Sequence, residues 1–119
     1  MTDIQKTSEE IQEEFVTSAM HVILAAGDAR HAADASFEAL LSGDMKKADE
    51  LMKEADKNIL EAHHRQTSII QTEAAIEMRT GRPSAVPLLF IHAQDTVMTI
   101  MSEVRLYKAM SKMYKQLKS

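Results

Sequence analysis

The chain of 119 residues contains no cysteine and no tryptophan, and only three glycines, two prolines, three phenylalanines and two tyrosines. Without cysteine there are no disulfides, thiolate metal sites or cysteine nucleophiles, and the chain suits a reducing compartment. No run of residues is long and apolar enough for a membrane helix, and residues 1–6 lack the apolar stretch of a signal peptide. The expected location is therefore cytoplasmic, with no direct membrane insertion. Basic character is also missing. The formal net charge is −4, and no cationic stripe with interleaved aromatics could neutralise phosphates, so nucleic acid is excluded as a partner.

What is present is enough for one helical domain spanning residues 1–119. Hydrophobic residues make up 45% of the chain and charged residues 27%, an ordinary globular balance. The scarce glycines and prolines punctuate three long helices. Thr7 and Glu10 form a capping-box pattern at the start of the first, with residues 1–7 expected to be flexible. Ile11, Phe15, Ala19, Val22, Ala26, Ala33, Phe37 and Leu40 then recur along one helical face. Gly27 interrupts this helix at a cost of roughly 1 kcal/mol relative to alanine, which marks a kink or a close approach of another backbone.

Ser42-Gly43-Asp44 ends the first helix and caps the second, a connection short enough to force an antiparallel pair. The second helix buries Met45, Ala48, Leu51, Met52, Ala55, Ile59, Ala62, Ile69 and Ile76 by the same periodicity. The strongest break is 79–87, which holds a glycine and both prolines, and a mobile surface loop is expected over 80–86. Pro87 suits the first turn of a third helix, which continues through Leu106 and Tyr107 towards Leu117. The fold class is thus all-α: three long antiparallel helices in an up-down-up bundle.

The third helix is apolar around much of its circumference from Leu88 to Met101. Two neighbours do not cover such a helix. It is expected at the centre of a homo-oligomer, where several copies surround it. One stripe of it, Leu88, His92, Asp95, Thr99, Ser102 and Leu106, carries polar chemistry. His92 and Asp95 are three residues apart and share a face. A neutral imidazole is nucleophilic near physiological pH without an activating base. On spacing alone, a core histidine hydrogen-bonded to Asp95 is the commoner arrangement.

His92-Ala93-Gln94-Asp95 with Val97-Met98-Thr99 closely resembles the active-site segment of the enzyme IIA proteins of the lactose and cellobiose/chitobiose class of the bacterial sugar phosphotransferase system. Further blocks stand in that family's order: Ala25-Ala26-Gly27-Asp28-Ala29-Arg30, Gly43-Asp44 with Ala48 and Leu51-Met52, and Glu61-Ala62-His63 with Gln66-Thr67. The likeness covers most of the chain, about residues 14–114.

The resemblance implies a phosphocarrier that takes a phosphoryl group onto His92, as a tele-phosphohistidine, from phospho-HPr. The group then passes to a cysteine of the cognate IIB component, and the membrane component IIC carries the sugar, a β-disaccharide. The family fold is a trimer of three-helix subunits with the third helices around the axis. Asp95 is implied to bind a divalent cation, expected to be magnesium, one carboxylate coming from each subunit. Three carboxylates gathered in a low-dielectric interior would repel unless a hard cation neutralised them. Gln94, His63 and Gln66 are implied in supporting roles, and His63 is expected to make a buried hydrogen bond near the carrier site. Many relatives carry a second histidine after the aspartate; here that position is Thr96, which donates a hydrogen bond but holds no charge.

Glu61 and His64 reproduce one Glu-x-x-His unit of carboxylate-bridged metal sites, but a second copy is missing. His21 and His31 have no partner at an informative spacing and are assigned to the surface or to helix packing. The nine methionines are mainly core filling. Two other functions compete. A non-catalytic helical oligomer or adaptor explains the periodicity equally well. A histidine-phosphotransfer domain of a signalling pathway usually has lysine and glycine after its histidine, where this chain has Gln94, Asp95 and Thr96. No residue reports which sugar is carried, because a IIA component touches only other proteins.

Overall fold

A computed structural model describes residues 8–82 and 86–119. Three helices account for nearly all of them, α1 (Ser8–Leu41), α2 (Met45–Thr80) and α3 (Leu88–Lys118), and no strand occurs among the described residues. They form a rod of 60 × 22 × 20 Å. The middle element is α1, which packs along both others, while α2 and α3 meet each other much less.

The α1–α2 turn is made by the residues whose conformations it requires. Gly43 sits at φ 90°, a backbone region that costs a side-chain-bearing residue energy. Asp44 then caps α2, its carboxylate accepting a hydrogen bond from the Lys47 amide at 3.1 Å. Such a cap is worth about 1 kcal/mol. The buried Ser36 hydroxyl donates to the Ala48 carbonyl at 2.6 Å and ties α1 to the first turn of α2. At the other end, Gly81 closes α2 in the left-handed conformation, its amide donating to the Glu77 carbonyl.

The core is thin and rich in alanine. Ala19, Ala26, Ala29 and Ala33 of α1 and Ala55 and Ala62 of α2 are buried in one cluster with residues of α3, and small side chains there let the helix axes approach closely. Phe15 stacks with Phe90 at 6.4 Å between ring centroids, and Val22, Val97 and Ile100 fill the α1–α3 seam. Across that same seam Arg30 grips the Glu103 carboxylate with two bonds of 2.7 and 2.9 Å, and the Tyr107 hydroxyl donates to Asp34.

Several expectations change. Met45 is exposed, since it precedes the point where α2 meets α1. Pro87 is the residue before α3 rather than within its first turn: its backbone is extended, and its carbonyl accepts from the Phe90 amide at 3.0 Å. Beyond its own turn of helix, no atom of the described residues lies within 4 Å of where a Gly27 Cβ would stand, so no other helix of the subunit brings its backbone close to it. The Thr7 cap and the flexibility of residues 1–7 lie outside the described residues, as does part of the 80–86 loop; Thr80 itself is still helical.

Candidate functional site

The two long sides of α3 are chemically different. Phe90, Ala93, Val97, Ile100 and Val104 are buried, whereas every member of the stripe Leu88, His92, Asp95, Thr99, Ser102 and Leu106 is exposed. Leu88 is 79% exposed and Leu106 60%. Ile91, Met98 and Met113 extend the uncovered apolar surface. The helical period alone explains the division, because positions at i, i+4, i+7 and i+11 share a face.

His92 lies in the second turn of α3, over an open hollow of ≈ 570 Å³ lined by Leu88, Leu89, Ile91, His92 and Asp95. The arrangement of a core histidine satisfied by Asp95 is therefore not what the chain adopts. His92 is exposed, and among the described residues no hydrogen bond joins its imidazole to Asp95 or to any other group. Both ring nitrogens are open to an incoming electrophile or donor.

The Thr96 hydroxyl does not face that hollow. It donates to the backbone carbonyl of His92 at 2.8 Å, a bond back to the preceding turn. The substitution of threonine for a second histidine thus leaves a helix-bound hydroxyl beside the site rather than a second cation. Gln94 is half-buried and does not line the hollow.

The expected buried hydrogen bond of His63 is absent. The side chain is exposed, unbonded among the described residues and not part of the hollow. It lies one position beyond Ala62, which turns it about 100° away from the buried stripe of α2. Gln66 takes the interior place instead. It is 6% exposed, and its Oε1 has no hydrogen-bond partner among the described residues. That position was readable from the sequence, four residues after Ala62 and three before Ile69. Glu61 pairs with Arg65 at 3.5 Å rather than forming a metal site with His64. Arg65 also approaches His21 Nδ1 at 3.0 Å, a contact between α1 and α2 that spacing within one helix does not reveal.

A single subunit holds no group of three His, Cys, Asp or Glu that could bind a metal among its described residues. Asp95 is the one carboxylate at the hollow among the described residues, so a cation here would need Asp95 from more than one copy. The donor set fits a hard oxygen-seeking ion only on that condition.

Residues 17–115 match the family described as PTS system, lactose/cellobiose specific IIA subunit. The lactose-specific EIIA component of Lacticaseibacillus casei is 36% identical over 107 residues, covering 90% of this chain and 91% of its own length. The crystal structure of the cellobiose-specific enzyme IIA from Bacillus anthracis superposes with a TM-score of 0.73 at 34% identity, covering 95% of this chain and 93% of that one. The IIA(chitobiose) of Escherichia coli, solved in complex with HPr, gives a TM-score of 0.72 at 28% identity over 96% of this chain and 99% of that one. No helix among the described residues is long and apolar enough to cross a membrane. The chain belongs to the lactose/cellobiose-specific IIA family and is a phosphocarrier component of a sugar phosphotransferase system.

Proposed function

We propose that His92 is the residue that carries the phosphoryl group, as a tele-phosphohistidine. The observation that supports this most strongly is its exposed, unbonded imidazole over an open hollow, on a helix whose opposite side is fully packed. The donor is phospho-HPr. The Nε2 lone pair attacks phosphorus, a new N–P bond forms, and the N–P bond to the donor histidine breaks with its electron pair returning to that imidazole. One phosphoramidate replaces another, so the step is nearly thermoneutral. Little is then asked of the protein beyond positioning and stabilising charge. The acceptor that follows is a cysteine thiolate of the cognate IIB component, during uptake of a β-disaccharide through IIC.

The exposed face of α3 packs against two further copies to form a homotrimer. Leu88, Ile91, Met98 and Leu106 on a single face are the support for this, since their burial is favourable at about 25 cal/mol per Å². Asp95 from each subunit holds a divalent cation, expected to be Mg²⁺, which offsets the repulsion of converging carboxylates. Gln94, two residues from His92, points to another side of the helix and has no support within one subunit for assisting a phosphoryl oxygen. His63 and Gln66 have no such support either.

The test is incubation with phospho-HPr followed by measurement of acid-labile phosphate. His92→Gln is expected to abolish labelling entirely while leaving the helical content unchanged. Labelling that persists in the variant would rule out His92. An unlabelled native chain would favour the adaptor reading.

A further inference from the structure

The end of the rod remote from His92 carries a cleft that the phosphoryl site does not use. It has a volume of ≈ 230 Å³ and lies where all three helices meet. Leu40 and Ala48 are buried and Met52 half-buried, so they form its floor. Lys108, Ser111, Lys112 and Lys115 stand along its α3 side, with Asp49 facing them from α2.

The cations are not equally occupied. Lys108 pairs with Asp56 at 2.5 Å and Lys115 with Asp49 at 3.2 Å. Among the described residues Lys112 has no carboxylate partner and the Ser111 hydroxyl makes no hydrogen bond. Lys115 lies in the last turn of α3, where a cation offsets the negative end of the helix. Lys112 lies before that turn. On a chain whose net charge is −4, the three lysines of the cleft meet two aspartates, Asp49 and Asp56, which leaves Lys112 as a local excess of positive charge.

The cleft also stays accessible when α3 is covered on its other side. By the helical period, Ser111 and Lys112 are rotated roughly 120–140° from the His92–Asp95–Leu106 stripe. Assembly through that stripe leaves them free.

We propose that this cleft binds a small sugar phosphate, of triose to hexose size. The volume falls below the usual range of about 300–1,000 Å³ for ligand pockets, which limits the ligand to a small one. A phosphate dianion meets Lys112, shares Lys108 and accepts a hydrogen bond from Ser111; lysine serves such groups as a point charge. Asp49 accepts hydrogen bonds from hydroxyls on the carbon body, which lies over Leu40, Ala48 and Met52. The buried Ser36 hydroxyl is already committed to the Ala48 carbonyl and only shapes the floor.

The experiment is an amide NMR titration of the full chain with glucose 6-phosphate, alongside inorganic phosphate, glucose, and sodium chloride at matched ionic strength. Saturable shifts are expected at Ala48, Ser111 and Lys112, with the ester binding at least fivefold tighter than inorganic phosphate and glucose giving none. Lys112→Gln is expected to weaken the ester about tenfold, the effect of one lost charge-assisted hydrogen bond. His92→Gln is expected to leave it unchanged. Several results would overturn the proposal: no saturable shift with the ester, equal shifts with sodium chloride, equal affinity for inorganic phosphate, or undiminished affinity in Lys112→Gln. Shifts seen only with phosphatidic acid vesicles would overturn it in favour of a membrane surface.

Discussion

The two sides of α3 are built from the same helix and obey opposite rules. Its inner side, Phe90, Ala93, Val97, Ile100 and Val104, contains no polar group and is closed by α1. Its outer side alternates leucine and methionine with His92, Asp95, Thr99 and Ser102, all uncovered. The contrast sharpens against α1 and α2, whose buried residues are largely alanine. Much of the large apolar surface of this subunit lies outside its own core. A subunit that fills its interior with alanine and leaves leucines outside has its strongest packing still to make.

The largest expected effect comes from moving the chemistry of the outer side to the inner one. Val97 is fully buried, and Val97→Asp places a carboxylate where no cation or donor awaits it. A loss of about 4 kcal/mol is expected, a large share of the stability of a small domain. Thermal unfolding followed by circular dichroism measures it. A melting temperature close to that of the native chain would mean that this side of α3 is not the packed one.

The converse exchange, Asp95→Leu, gives the outer side the character of the inner one. Asp95 is exposed in the subunit and unpaired among the described residues, so the stability of an isolated subunit is expected to change by less than about 0.5 kcal/mol. The effect falls on the assembly. In the proposed trimer three leucines would meet without repulsion, and the variant oligomer is expected to keep its mass in a chelator expected to dissociate the native protein. Sedimentation with and without chelator is the measurement, and an unchanged metal requirement in the variant would remove Asp95 from the cation site.

The difference between the sides of α3 was legible from spacing, because the helical period assigns each residue a direction. The same rule located the α1 stripe, while the chemistry of glycine and of an aspartate cap located the turn at Gly43 and the cap at Asp44. The helical period failed where direction depends on a second helix. His63 belongs to a family block, yet it points outwards because Ala62 and Gln66 already occupy the seam. The pairs Arg30–Glu103 and Tyr107–Asp34 join residues 73 positions apart, and the lysine cleft needs α1, α2 and α3 together. Periodicity orders residues within a helix and says nothing about which partner each will meet. Spacing alone favoured a core histidine at His92, because an imidazole in an apolar run looks buried until the neighbours of that run are counted; the family resemblance, which makes His92 a phosphoryl acceptor, pointed to the exposed position it has.

The smallest effect tests the border between the two sides, where Tyr107 reaches across to α1. Its hydroxyl donates to the Asp34 carboxylate, and this bond first, then burial, raises the phenol above its ordinary value of 10.0, with the charges of Asp34, Glu103 and Glu38 adding to the shift. Folded Tyr107 therefore holds its proton more tightly than the unfolded chain does. Its contribution is fully present below pH 10 and is lost as the pH rises through the raised value. Tyr107→Phe removes the bond and is expected to cost about 1 kcal/mol at neutral pH, since the pair is partly open to water. Urea unfolding between pH 7 and pH 11 should show the native and variant curves converging at the alkaline end. A gap that stays constant would mean that the aromatic ring, packed against Phe37 at 5.7 Å, and not the hydroxyl, holds this edge of α3 in place.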